Sequence, residues 1–235
     1  MRRRLVPSSW TVLLARFRDA AARRSWTIEA NDGIIATAGI LLGFARAGAS
    51  NRVLLFTAAA ATIAGGVGVG GAEWAEDAAE RESQLVLAEK EQQEIATNPL
   101  AEVDELAAYW ESKGLAPDLA HQVAEQLSAR DALAAQLDWE YGFDEPMPKY
   151  APVWTGVTAT IAYMVGALIP LLITYFVPVK VETWAILSAV LVALALTSLI
   201  SARASDLVPK RMLARTVALG VVMVAVSFVA GEILL

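Results

Sequence analysis

Ala58-Ala-Ala-Ala-Thr-Ile-Ala-Gly-Gly-Val-Gly-Val-Gly-Gly-Ala72 runs, without a turn signal, into a stretch carrying Glu73, Glu76, Asp77, Glu80, Glu82, Glu89, Glu91 and Glu94. No proline occurs from Val53 to Thr97, and the glycines stop at Gly71. The pattern predicts one long helix that leaves a bilayer and continues into water. At 1.5 Å per residue, roughly 20 residues cross the hydrocarbon and the rest project beyond it. A membrane span fused to a carboxylate-rich helix suggests a cation gathered on one side and passed into the membrane.

The whole chain fits that start. It has 235 residues, 56% of them hydrophobic, with a mean hydropathy of +0.47. That is too apolar for an ordinary soluble domain and suits a multi-span membrane protein. The formal charge of −6 is unevenly spread. All but six of the 25 acidic residues fall between 73 and 145, the six being Asp19, Glu29, Asp32, Glu182, Asp206 and Glu232. The bases in that segment are Arg81, Lys90, Lys113 and Arg130. Such a domain attracts cations and repels nucleic acid. Cysteine is absent, which removes thiolate metal ligands, disulfides and a cysteine nucleophile.

Outward from the acidic helix, the chain divides into four parts. Residues 1–25 are basic, with Trp10, Val12, Leu13, Leu14 and Phe17 at helical spacing, and read as an interfacial amphipathic helix. A signal peptide is set aside because Arg16 interrupts the apolar run and no clean cleavage site follows. Residues 26–72 hold two spans, about Trp26–Ala45 and Val53–Ala72. Residues 73–148 form an acidic helical domain. Asn98-Pro99 breaks its first helix, a second runs to Lys113-Gly114, and a third runs from Pro117 to about Tyr141-Gly142. Leu106, Leu119, Val123, Leu127, Leu133 and Leu137 supply its apolar seam. Residues 149–235 hold three more spans, about Val153–Val177, Thr183–Ala202 and Met212–Leu235, with Pro170 and Pro178 kinking or ending the first of these. The expected fold class is an all-α membrane protein of about five spans, with a helical domain inserted between the second and third. Arginines and lysines cluster in the N-terminal segment and at Arg203, Lys210 and Arg211. This puts the N-terminus and the acidic domain in the cytoplasm and the C-terminus outside.

Asp32 falls in or near the first span, where a carboxylate is costly and marks a functional site by default. Asn31-Asp32-Gly33 also reads as an interfacial cap, and the residues alone leave both readings open. Glu73 closes the second span and could face Asp32. Gly39/Gly43 and Gly66/Gly70 are small-xxx-small pairs suited to close helix packing. In the acidic domain, Glu91 and Glu94 share one helix face and Glu102 and Glu105 share another. The break at Pro99 folds these faces together, and Glu140 could join them. Converging carboxylates need a cation such as Mn²⁺, Fe²⁺, Mg²⁺ or Ca²⁺. The other reading, a solvated acidic face, stays open on spacing alone. His121 reads as a surface residue.

Taken together, these features resemble the vacuolar iron transporter (VIT) family, including its yeast-type and bacterial members. The likeness runs from about Trp26 to the end. Ala30-Asn31-Asp32-Gly33-Ile34-Ile35-Ala36-Thr37 is similar to the family's first-span signature, and Gly166-Ala-Leu-Ile-Pro-Leu-Leu172 to its third-span motif. The Glu91, Glu94, Glu102, Glu105 and Glu140 pattern is similar to its cytoplasmic metal-binding domain, which favours the metal-site reading over the solvated face. The resemblance implies a homodimer that moves Fe²⁺, often also Mn²⁺, out of the cytosol in exchange for protons, with no resident cofactor and no enzymatic reaction. The chain is expected to be an integral membrane protein, in a bacterial plasma membrane, with an organelle's membrane left open. Asp32 and Glu73 match the family's membrane carboxylates. Two of its methionines are replaced, by Val69 in the second span and Gln136 in the third helix of the acidic domain. The implied metal set is therefore all oxygen: Asp32, Glu73, Glu91, Glu94, Glu102, Glu105, Gln136 and Glu140. A membrane sensor or buffer that binds ions without moving them is the alternative.

Overall fold

The computed structural model describes residues 20–177 and 179–204, together with scattered positions between 214 and 233. The basic segment up to Asp19 and most of the fifth expected span lie outside the described residues. Every described element is a helix: α1 (Ala20–Arg46), α2 (Asn51–Thr97), α3 (Pro99–Ser112), α4 (Pro117–Tyr141), α5 (Ala151–Phe176) and α6 (Val179–Ala204). Three are long and apolar enough to cross a membrane: α1 over Arg24–Ala45, α2 and α5. In α6 the apolar run Thr183–Leu196 is shorter. The chain forms two units. One comprises residues up to Glu73 and from Trp154 onward, and the other comprises Trp74–Val153.

In the first unit, α1 packs on α6. Ile34, Ala38, Leu41 and Leu42 of α1, Leu54 and Ala58 of α2, and Ile186, Val190 and Leu194 of α6 form one buried cluster. A buried hydrogen bond of 3.2 Å between the Thr37 and Thr62 hydroxyls links α1 and α2 there. Helix α5 approaches both closely because small residues clear its way. A Cβ at Gly33 would fall 2.0 Å from the Tyr163 carbonyl oxygen, and one at Gly166 would fall 1.8 Å from that of Ala30. Gly66 and Gly70 face Met164, Thr160 and Gly156 of α5, which is the packing role expected of that pair. Pro170 lies inside α5, which nevertheless continues to Phe176.

The second unit contains the acidic end of α2, then α3 and α4 packed against each other. Proline occupies the first turn of both α3 and α4, where its missing N–H costs nothing. Leu106, Ala107 and Ala124 form the buried centre, with Val103, Tyr109, Trp110, Leu127, Ala135 and Trp139 packed around it. Aromatic rings do much of the packing expected of leucines. Leu137 is fully buried, but Leu119 is 51% exposed and lies outside the seam. Helix α4 is also not one uninterrupted rod. At Asp131 the backbone is extended (φ −164°, ψ 92°), and Asp131 Oδ1 accepts from the Ala134 N–H at 3.1 Å. Asp131 thus caps a second helical segment, which satisfies a donor that the break would orphan. After α4 ends at Gly142, a side-chain clamp holds the chain. Arg81 Nε donates to the Met147 carbonyl and the Met147 N–H donates to Gln84 Oε1, both at 2.8 Å.

The glycine contacts yield a paired test. Gly68 has nothing within 4 Å of an added Cβ, whereas Gly166 meets backbone. Gly68→Ala should keep or raise the melting temperature in detergent, since alanine gains up to about 1 kcal/mol of helix propensity. Gly166→Ala should lower it by several degrees. Equal melting curves would contradict the close α1–α5 approach.

Candidate functional site

The membrane unit places Asp32 roughly three turns from either end of α1, inside a continuous helix. It is not a helix cap, so the interfacial-cap reading is set aside. The carboxylate-bearing residue is exposed on the chain's surface within the span Arg24–Ala45. Three residues earlier, Glu29 is only 8% exposed. Its carboxylate lies within electrostatic range of both Glu73 and Asp32. Glu29 therefore links Asp32 and Glu73 into one acidic group, and the sequence reading passed it over. Its i, i+3 spacing from Asp32 was the available signal. The neighbouring Asn31 Oδ1 is buried with no hydrogen-bond partner. Tyr163 of α5 packs its carbonyl side against Gly33 and its hydroxyl against Gly65, and also feels the charge of Asp32.

In the acidic unit, Glu91 is 1% exposed, which is extreme for a carboxylate. It lies within hydrogen-bonding reach of Glu102 on α3 and Glu140 on α4. The helix break at Asn98-Pro99 brings α3 back beside α2, and the segment capped by Asp131 carries Gln136 and Glu140. Burial pushes the Glu91 carboxyl up from 4.5 to about 8, with the hydrogen bond to Glu102 and the charge of Glu140 adding to the effect. Glu102 is raised as well, by burial first. The Glu91 bond works the other way there, and the charges of Glu105, Glu94 and Glu140 add to the rise. The two shifts describe one arrangement, in which a proton held by Glu91 is donated toward Glu102. Glu91 Oε2 is buried without any hydrogen-bond partner, an unfavourable state for a charged oxygen.

The other candidates are distributed around this core. Glu94 is paired with Lys90, Nζ to Oε2 3.3 Å, on an exposed i,i+4 step. Lys90 is held above its ordinary range by that bond and then by Tyr141. The Tyr141 hydroxyl is raised by burial and by its bond to Glu140. Glu105 is exposed, near enough to Glu102 to act on it electrostatically. Gln136 is 1% exposed, and both ends of its carboxamide are engaged, with Glu102 and with Trp139. Among the described residues, no three His, Cys, Asp or Glu side chains stand at metal-ligand spacing. His121 is exposed and lies 3.8 Å from Glu125, in line with its reading as a surface residue.

The sequence pattern of the VIT family matches residues 23–232. A vacuolar iron transporter of Acanthamoeba castellanii is 29% identical over 157 residues, which is 67% of this chain and 57% of that protein. Vacuolar iron transporter 2 of Oryza sativa subsp. japonica is 31% identical over 66% of this chain and 63% of its own length. Vacuolar iron transporter 1 of Arabidopsis thaliana is 28% identical over 73% and 68%. The chain thus spans less than two thirds of the length of the first two.

The protonated state of Glu91 sets a pH dependence. Its pKa is near 4.5 in the unfolded chain and about 8 in the folded one, so the proton favours folding. That contribution is complete below 4.5 and is lost as pH rises through about 8. In chelator, the full-length protein should lose thermal stability from pH about 5 to about 9, and Glu91→Gln should flatten that slope. Parallel profiles for the two proteins would contradict the buried proton.

Proposed function

The chain belongs to the VIT family, and on that premise we propose that it moves divalent metal ions, Fe²⁺ and Mn²⁺, across a membrane and out of the cytosol in exchange for protons. The observation that carries this reading is Glu29 beside Asp32 and Glu73. A carboxylate buried within an apolar span is expensive, and such residues mark ion or proton paths. A group that must be neutralised in the membrane can be neutralised by a proton or by a cation. Alternation between the two couples the flows. The names of the curated relatives, which are vacuolar iron transporters, support iron as a cargo.

The acidic unit is the proposed gathering site on the cytoplasmic side. Its contribution is Glu91, Glu102 and Glu140, with Glu94 and Glu105 nearby. Oxygen donors suit Fe²⁺ and Mn²⁺ alike. Val69, in the second span, offers no donor at all. Asp32 supports a homodimer in a physical way. It is exposed on a single chain inside an apolar span, and a second copy would shield it from lipid. The proposed membrane is the bacterial plasma membrane, with the N-terminus and the acidic unit in the cytoplasm.

Full-length protein in liposomes tests the proposal. Fe²⁺ or Mn²⁺ uptake should proceed with counterflow of protons, reported by a trapped pH dye. Asp32→Ala should abolish uptake, at least a hundredfold, while ion binding by the acidic unit persists. Glu29→Gln should slow uptake at least tenfold. Ion binding without uptake in the wild type would leave the sensor or buffer in place of the transporter. Normal uptake by Asp32→Ala would remove the membrane carboxylates from the path.

A further inference from the structure

We infer that Gln136 is a positioning residue for cation binding, acting by holding Glu102 and not as a ligand itself. The inference rests on the proposal that the acidic unit binds divalent cations.

A carboxamide has two N–H donors on one end and an acceptor oxygen on the other. Gln136 uses both ends inside the protein. Its Nε2 donates to the Glu102 main-chain oxygen at 2.6 Å and to Glu102 Oε2 at 3.0 Å. Its Oε1 accepts from the Trp139 indole N–H, one turn further along α4. Turning the amide over would aim its oxygen at two oxygens of Glu102 and set its NH₂ against the indole N–H. The partners therefore fix its orientation, with the oxygen directed to Trp139. At 1% exposure, the side chain has no other freedom.

The effect falls on Glu102. Glu102 also lies within hydrogen-bonding reach of Glu91, so it is the member that bridges α2 and α4. A donor on Oε2 holds that oxygen in place and partly offsets the like charges around it. When a cation displaces the proton between Glu91 and Glu102, it meets a Glu102 already held by Gln136. A methionine at 136, the residue of the resembled pattern, can donate to neither Glu102 oxygen. It would release Glu102 and offer a thioether in its place. Glutamine at 136 thus organises the site differently from a methionine, supplying a carboxylate held from behind where a thioether would stand. Losing such a supporting contact typically weakens metal affinity about 10–100-fold.

The test is Mn²⁺ titration of full-length protein in detergent, in an Asp32→Ala background so that the membrane carboxylates do not dominate. Gln136→Met should weaken Mn²⁺ about tenfold or more with Glu102 present. It should have less than about a twofold effect once Glu102→Gln is also present, because the two residues act as one. Trp139→Phe is the second variant. It leaves Oε1 without its anchor, so it should weaken Mn²⁺ if Gln136 positions Glu102. It should maintain or strengthen binding if Gln136 Oε1 is itself a ligand. Additive losses for Gln136→Met and Glu102→Gln, or unchanged or stronger binding by Trp139→Phe, would overturn the positioning role. Unchanged Mn²⁺ affinity in Glu102→Gln alone would instead overturn the proposed cation site, and the positioning role with it.

Discussion

A carboxylate buried among other carboxylates must hold either a proton or a cation, and the acidic unit is arranged around that constraint. Glu91 is nearly inaccessible, with Glu102 and Glu140 beside it and one of its oxygens unpartnered. Removing it from water raises its pKa to about 8 and makes the neutral form dominant at neutral pH. What surrounds it prevents the repulsion from being relieved by drift. The aromatic packing of Tyr109, Trp110 and Trp139 fixes α3 on α4. The Asp131 cap restarts α4 so that Gln136 and Glu140 fall near α3, and Gln136 ties Glu102 down. Lys90 supplies a positive charge at the rim, shared with Glu94 and Tyr141. Exposed pairs of this kind contribute little to stability. Lys90 therefore balances local charge more than it holds the fold.

The membrane unit meets the same constraint with fewer groups. Glu29 lies within electrostatic range of Asp32 and Glu73, in a unit where α5 packs closely on α1. The missing side chains at Gly33 and Gly166 let α5 approach α1 at backbone distance. In the proposed transport cycle both acidic groups work alike: bound protons offset part of their negative charge in one state, and the divalent ion offsets it in the other.

Much of the fold was legible because its signals are local and chemical. Proline at 99 and 117 and glycine at 114 and 142 mark helix ends, and the observed α3 and α4 boundaries follow them closely. The absence of proline from Val53 to Thr97 was enough to predict α2 as one helix. The sorting of carboxylates was only partly legible. Helical spacing pairs Glu91 with Glu94 and Glu102 with Glu105, but burial separates each pair, taking in Glu91 and leaving Glu94 and Glu105 at the surface. Which member turns inward depends on how α3 and α4 lie against α2, and no periodicity encodes that. Asp131 was missed because a mid-helix aspartate looks the same in sequence whether it caps a break or faces solvent. The burial of Glu29 was not legible because a carboxylate on an apolar helix looks the same in sequence whether packing buries it or leaves it outside. Gln136 was legible as part of the site, but its role depends on which end of its amide meets Glu102, and this is a matter of geometry.

Proton release on ion binding tests the central claim most directly. Full-length protein in detergent near neutral pH would be titrated with Mn²⁺ by calorimetry, in buffers of different ionisation enthalpy. If the cation takes the place of the proton on Glu91, each bound ion should release about one proton from the acidic unit. Glu91→Gln should remove that proton from the count while other groups keep theirs. Equal proton release by the wild type and Glu91→Gln, with Mn²⁺ still bound, would contradict the account.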